Sequence, residues 1–406
     1  MLRNIIIIND FGFINGGAGK VAITSAKLLA KQGYNVTFLT AMPPIDKEMT
    51  EIGIKVVCLN QKDILSNPNR FQAMYQGIWN AKAAIALEGI LSQYRMEETI
   101  VHFHCWMKAL SCSLWKVMAK SKIKVAVTLH DYFLFCPNGG LFNYQKLIIC
   151  QKQPSSVSCL LCNCDSRNYL QKIWRFIRQM VQSFWLLRNK NISFISISDL
   201  NEKVSRTRLN HISHKWYRLQ NPIEINNHSF VNITNNDIYL FVARLSAEKG
   251  VELFCQAITE LNLKGCVLGD GYLKDSLQKK YPNIAFAGWV SGDKKENLIR
   301  KGKALVFPSL WYEGAPLTII EMKSYGLPCI VPDKCAASEE IVDGKTGFVF
   351  ESGSITSLKE ALIRCENCEI EVLQKNISDS FDPNMYSEDT HLKSLVSIYT
   401  DILDSK

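Results

Sequence analysis

Short apolar runs along the chain alternate with longer stretches in which apolar positions return at helical spacing. The apolar runs read as strands, and the stretches between them as helices. In the first half the predicted strands are 4–8, 36–40, 55–59, 100–103, 125–129 and 194–198. The pattern then restarts, with strands predicted at 239–242, 265–268, 284–286, 304–307, 329–331 and 348–350. Such alternation implies parallel sheets wrapped by helices. Two series imply an α/β protein of two Rossmann-like, doubly wound domains facing across a cleft. The polar, Asn-rich stretch 221–236 is the expected join. The predicted domains are an N-terminal unit at 1–220 and a C-terminal unit at 221–385. The last helical stretch, 386–406, is free in sequence terms to pack back on the first unit. Ligands of such sheets bind at the carboxyl ends of the strands, so candidate chemistry is sought there.

The length of 406 residues agrees with two domains of ordinary size. A hydrophobic content of 47% and a charged content of 21% fit a globular protein. Residues 1–8 are too short for a signal-peptide core and run at once into Asp10, which predicts no secretory leader. No run of about 18 uncharged apolar residues predicts a membrane span. Charge changes the picture more. Residues 1–220 hold 28 Lys and Arg against 12 Asp and Glu, whereas 221–406 hold 19 against 26. A first half at +16 beside a second at −7 predicts an anionic partner for the first, either membrane lipid or nucleic acid. No helix-turn-helix, zinc-finger or RNA-binding signature accompanies the basic half, so nucleic acid is not the expected partner.

A glycine-rich turn, NDFGFINGGAGKVAI, joins the first strand to the first helix at 9–23. It is not a P-loop. That motif would need glycine where Ile14 stands and a hydroxyl where Val21 stands. The stretch from Gly17 to Ala22 fits the dinucleotide pattern G-x-G-x-x-A, but the next strand runs into Ala41-Met42-Pro43 with no carboxylate for a ribose. The turn alone leaves its ligand open.

The second half narrows the choice. ARLSAEKGVE follows the strand at 239–242 and places Arg244 and Lys249 five residues apart at the cleft edge, where two cations can clamp a diphosphate. Gly269-Asp270-Gly271 forms another glycine turn directly after a strand. In LWYEGAPLTIIE, Glu313 lies after the strand at 304–307, Gly314 permits close approach of a ligand, and Pro316 suits the first turn of a helix. The free N–H groups of Ala315, Leu317 and Thr318 would then face an anion. Glu321 lies eight residues beyond Glu313, on the order of 10 Å away at helical rise, so the two carboxylates could reach opposite ends of one elongated ligand.

With these motifs in this order, the sequence resembles the family 4 retaining glycosyltransferases of the GT-B fold, of the bacterial surface-polysaccharide type. ARLSAEKG, LGDGY, FAGWVS, EGAPLTIIE and ASEEIVDGKTGFVF carry the resemblance, from 240 to 350. It implies that Arg244 and Lys249 bind the donor diphosphate, that Glu313 contacts the transferred sugar, and that Glu321 holds the nucleotide ribose. Gly16 and Gly17 match the first-loop glycines that lie against the donor phosphates and the acceptor. His130, at the end of the strand 125–129, matches a histidine beside the reacting sugar, with Asp131 a candidate on the acceptor side. His102 and His104 read as wall residues. Ala243 departs from the glycine usual before the arginine, and Gly19 replaces a larger polar residue. The implied activity is metal-independent, retaining transfer of a hexosyl unit from a UDP- or GDP-linked sugar to a glycan or polyprenyl-linked acceptor, in the cytoplasm and peripherally on the inner face of the cell membrane. A sugar-nucleotide epimerase of the same fold and a non-catalytic protein that binds anionic lipid or nucleic acid are the competing readings.

Two features stand outside this scheme. Cys136, Cys150, Cys159 and Cys162, with Cys164 just beyond, would hold a structural zinc ion, remain free thiols, or form disulfides. The stretch 166–190 contains no acid and interleaves Arg167, Lys172, Arg175, Arg178, Arg188 and Lys190 with Tyr169, Trp174, Phe176, Phe184 and Trp185. It reads either as a helix lying in an anionic membrane interface or as a core helix with one solvated basic face.

Overall fold

The computed structural model describes residues 1–209, 212, 215–225 and 230–405. Part of the expected join, 226–229, lies outside the described residues. The N-terminal half contains β1 (Asn4–Asn9), β2 (Asn35–Thr40), β3 (Lys55–Cys58), β4 (Thr99–Cys105), β5 (Lys124–Thr128), β6 (Phe142–Asn143), β7 (Ile148–Ile149), β8 (Ile192–Ser196) and β9 (Trp216–Arg218). Among the described residues, seven of these form one sheet in the order β3-β2-β1-β4-β5-β8-β9, parallel throughout. The remaining pair, β6 and β7, is a small antiparallel ribbon in the cysteine-rich loop. Neither this ribbon nor β9 was expected, because two or three residues are too few to show a periodicity.

The C-terminal half contains β10 (Ile238–Val242), β11 (Lys264–Leu268), β12 (Ala285–Gly288), β13 (Gly302–Val306), β14 (Cys329–Pro332) and β15 (Gly347–Phe350). Among the described residues they form a six-stranded parallel sheet in the order β12-β11-β10-β13-β14-β15.

The run of isoleucines in β1 shows why these strands are apolar at every position. Ile5 and Ile7 enter the core on one face with Leu29, Phe38 and Tyr399, and Ile6 and Ile8 enter the other with Phe103, Trp115 and Val127. A sheet covered on both faces leaves no polar side to its central strand. Each such side chain contributes about 1.5–3 kcal/mol of burial.

Chain order makes β1 and β4 neighbours in the first sheet, and β10 and β13 neighbours in the second. At each point the connections leave to opposite sides and open a crevice beyond the strand ends. The last helix, Glu388–Asp404, crosses back to the first sheet. Its residues Leu395, Ile398, Tyr399 and Ile402, spaced for one helical face, join the core around Ile5 and Ile7. His391 fixes the crossing with contacts of 2.9 Å to the Ser25 hydroxyl and 2.9 Å to the Gln220 carbonyl.

Candidate functional site

The loop after β10 is shaped by what the backbone must pass. Gly250 lies at φ 69°, and a Cβ there would stand 1.9 Å from the Pro308 carbonyl oxygen. A Cβ on Gly269 would likewise fall 1.9 Å from the Ala243 carbonyl oxygen. The loops after β10, β11 and β13 are therefore pressed together by glycine alone. The Leu245 N–H donates to the Asp270 carbonyl at 2.9 Å, and Leu310 N–H to the Glu248 carbonyl at 2.9 Å.

This pressed edge gathers charge. Lys249 forms an ion pair with Glu313, and its ammonium lies 5.2 Å from the centre of the Trp311 ring. The Ser309 hydroxyl donates to Glu313 Oε1 at 3.0 Å. Burial pushes the Glu313 carboxyl up, but the Lys249 charge and the hydrogen bonds from Lys249 and Ser309 outweigh it and hold the carboxyl below its ordinary range. Arg244 reaches toward solvent and donates to Glu248 Oε1 at 2.7 Å, which also accepts from Ser246. Asp270 is exposed; hydrogen bonds from the Gly271 N–H and the Lys274 ammonium lower its carboxyl.

A cavity of about 590 Å³ opens beside Arg244, lined among others by Gly269, Trp289, Lys295, Thr318 and Glu321. Glu321 is ion-paired there with Lys295, from the helix Gly292–Ile299. Glu321 projects from the helix Leu317–Ser324, whereas Glu313 lies in the loop before it. Pro316 occupies the cap position. Ala315 and Leu317 line the seam with the other domain rather than this cavity, and Gly314 approaches it too: a Cβ there would be 3.0 Å from Ile197.

The crevice at β1 and β4 holds a second cavity, about 160 Å³, lined by Asp10, Gly17, Ala18, Gly19, His104, Trp106, Met107, Lys108, Asp131 and Phe133. Asp10 sits at the end of β1, wholly buried. Its carboxylate accepts the backbone N–H groups of Lys108, Ala109 and Leu110 at 2.8, 2.9 and 2.8 Å and so locks the loop after β4 to β1. Gly16 precedes the helix Gly17–Lys31 at φ 88°. A Cβ on either Gly16 or Gly17 would meet nothing within 4 Å, so the turn is open on its cleft side.

Three histidines line up behind this cavity. His102 lies between the Tyr399 hydroxyl at 2.6 Å and the Thr128 hydroxyl at 2.7 Å. His104 contacts His130 at 2.9 Å between ring nitrogens. Burial pushes the His130 ring down to about 3 and holds His102 and His104 well below their ordinary value, so all three are neutral at pH 7. His104 Nε2 is buried with no hydrogen-bond partner among the described residues. Asp131, at the cavity mouth, donates nothing as a carboxylate and accepts from the Phe133 N–H at 2.9 Å; the protein around it pushes its carboxyl up to about 6.

The two domains meet across these sites. The Tyr132 and Tyr312 rings lie 6.3 Å apart between centres. Glu339 accepts the N–H groups of Asp199 and Leu200, at 2.9 and 2.6 Å, at the start of the helix Asp199–Leu209.

Two expectations resolve differently from their sequence reading. The zinc ligand set Cys136, Cys150, Cys159 and Cys162 is not assembled: among the described residues no group of three or more His, Cys, Asp or Glu is placed to hold a metal ion. Their thiols instead meet single partners. Cys136 donates to Asn138 Oδ1 at 3.1 Å, Cys159 accepts from the Lys172 ammonium at 3.2 Å, and Cys162 accepts from Asn143 at 3.7 Å. The basic stretch forms the helix Tyr169–Leu186, but Lys172, Arg178, Gln179 and Gln182 are its buried face. It is not a helix with a solvated basic face. No helix of the described residues is long and apolar enough to cross a membrane.

Sequence reasoning missed Asp10, Trp289, Lys295 and Glu339, while His104 lines the wall of the N-terminal cavity as expected. Asp10 and Trp289 were open to discovery, since each directly follows a strand end. Glu339 has no such signal, because its partners belong to the other domain.

Comparison with known proteins follows the geometry. Residues 224–380 match the family model for glycosyl transferases group 1. The chain is 28% identical over 191 residues to the UDP-Gal:α-D-GlcNAc-diphosphoundecaprenol α-1,3-galactosyltransferase of Escherichia coli, an alignment that covers 42% of this chain and 47% of that protein. It therefore spans about half the length of that relative. It is 23% identical to an uncharacterized 42.6 kDa protein in the cps region of Klebsiella pneumoniae, over 78% of this chain and 82% of that one. Among solved structures, the sucrose-phosphate synthase of Thermosynechococcus elongatus superposes with a TM-score of 0.71 at 15% identity, covering all of both chains. The fold is GT-B, and the group 1 match over residues 224–380 together with the sequence relatives supports a glycosyltransferase.

Proposed function

We infer that the protein is a retaining glycosyltransferase that moves a hexosyl unit from a nucleotide diphosphate sugar to a glycan or polyprenyl-linked acceptor in surface-polysaccharide synthesis. The observation that carries this reading is the gathering of Arg244, the Lys249–Glu313 pair and Glu321 around the strand ends of one domain. A second cavity lies at the strand ends of the other domain. The donor would lie with its base and ribose in the larger cavity, the ribose hydroxyls on Glu321. Its diphosphate would lie against Arg244 and Lys249, near Thr318, the helix-start residue that lines this cavity. These groups supply the charge that a departing diphosphate needs, so the proposed transfer runs without a metal.

An arriving diphosphate would compete with Glu313 for the Lys249 ammonium. Glu313 would then be free to accept from the sugar hydroxyls and hold the ring in place. His130, neutral and fixed by His104, would stand beside the anomeric carbon and stabilise positive character there. The acceptor would enter from the cavity lined by Asp131 and His104, with the departing phosphate taking its proton. The acceptor's carrier would place the enzyme at the anionic inner face of the cell membrane. The E. coli relative acts, by its name, on a diphosphoundecaprenol-linked sugar. The direct test is proton NMR of the product formed from an α-linked donor. A new α-linkage supports retention, and a β-linkage contradicts it.

A further inference from the structure

We propose that the protein docks on an anionic lipid bilayer through the outward apolar faces of two adjacent helices, Tyr169–Leu186 and Arg70–Ile78. The first helix is turned inside out relative to an ordinary surface helix. Its polar side chains point inward and hold the loops of the N-terminal cavity. Arg178 donates to the Met107 and Pro137 carbonyls at 3.1 and 3.3 Å. Gln179 and Gln182 donate to the Leu134 and Phe133 carbonyls at 2.9 and 2.8 Å, and Trp106 donates to Gln182 at 2.8 Å. Arg175 pairs with the buried Asp165 at 3.1 Å. With these groups turned inward, the apolar stripe Leu170, Ile177, Met180, Phe184 and Leu187 is left outside, and Leu170 is 77% exposed. The spacing of seven between Leu170, Ile177 and Phe184 puts them on one face.

The second helix extends the patch. It packs beside the first where Gly77 makes room: a Cβ there would come within 2.7 Å of Trp174, whose indole N–H donates to the Met74 carbonyl at 3.1 Å. Phe71, 86% exposed, and Tyr75, 68% exposed, stand outward from it. Exposed apolar side chains gathered on two packed helices mark an interaction surface.

Charge selects the cover. Neither helix contains an Asp or Glu, and Asp165, just before the first, is buried in its pair with Arg175. The exposed cations Arg167, Arg188 and Lys190 flank the first helix at its two ends, and Arg70 opens the second. An apolar face bounded by cations and free of carboxylates matches a helix lying in the plane of an anionic headgroup layer. Trp106, Met107 and Phe133, gripped by the inward face, line the N-terminal cavity, so docking would hold that cavity near the bilayer. This inference rests on the transferase reading only for that last purpose.

The test is flotation of the full chain with vesicles of phosphatidylcholine alone and of phosphatidylcholine mixed with phosphatidylglycerol. Wild type is expected to float with the mixed vesicles. The combined variant Leu170→Gln, Ile177→Gln, Phe184→Gln, and separately Phe71→Gln with Tyr75→Gln, are expected to lose flotation while keeping their melting temperature and their donor binding. Absence of wild-type flotation, or flotation unchanged in both variants, overturns the proposal. So does a soluble dimer broken by the same substitutions, since a second copy would then be the cover. Flotation with no binding of any sugar nucleotide would sink the transferase reading and leave the docking surface standing.

Discussion

Lys249 and Glu313 face each other as an ion pair beneath the Trp311 ring, with the Lys249 ammonium 5.2 Å from the ring centre. The pair joins the loop after β10 to the loop after β13. Each partner keeps the other's charge tolerable in a largely enclosed place.

Breaking the pair from either side leaves one charge without its partner. In Lys249→Met the Glu313 carboxylate loses its counter-charge, and in Glu313→Gln the Lys249 ammonium does, while the Ser309 contact is kept. A stability loss of about 1–3 kcal/mol is expected in each. Under the proposed function both variants also lose transfer by roughly a hundredfold or more. Thermal melts beside transfer assays check both losses. A melting temperature unchanged in either variant would contradict this description of the pair.

The Glu339 carboxylate caps the helix Asp199–Leu209 from the opposite domain. Its removal leaves two N–H groups facing water and weakens the closed arrangement by about 1–2 kcal/mol. Glu339→Ala is expected to raise the radius of gyration measured by X-ray scattering without lowering the stability of either domain. An unchanged radius would show that other contacts hold the domains together.

The buried histidines set an acid limit on stability. His102, His104, His130 and His391 all lie below their ordinary value in the fold, burial being the first cause. The unfolded chain therefore binds more protons as pH falls below about 6.5, and stability drops with it. Asp10 and Asp131 run the other way, because burial raises them: their contribution is present below about 4 and is lost as pH rises through the folded value, about 6 for Asp131. The expected result is a fall in melting temperature from about pH 7 to about pH 5, the range in which the histidines of the unfolded chain gain protons that the folded ones do not. Asp131→Asn removes an opposing group and steepens that fall. A flat profile in both proteins would refute the neutral, buried histidines.

Much of the fold was legible because its strands are covered on both faces, so Ile5–Ile8 could be nothing but a central strand once helical stretches flanked it. The edge strand β9 was not legible, since Trp216, Tyr217 and Arg218 are too few to carry a rhythm. The helix Tyr169–Leu186 shows a deeper limit. Periodicity located its polar and apolar faces but not which one meets water. That choice was made by the carbonyls of Met107, Phe133, Leu134 and Pro137, which need donors in the interior. In the same way Glu313 could be singled out from a motif, while its Lys249 partner at an enclosed site follows from Gly250 and Gly269, which let distant loops close on one another.

The central claim is that the C-terminal cavity is a sugar-nucleotide site. The most direct measurement is calorimetric binding of UDP-, GDP-, ADP- and dTDP-sugars to wild type and to Arg244→Ala. The account predicts that one nucleotide class binds and that Arg244→Ala weakens it by roughly 10- to 100-fold, the loss of one charged hydrogen-bonding group. No binding by any sugar nucleotide, or binding that Arg244→Ala leaves unchanged, would contradict it.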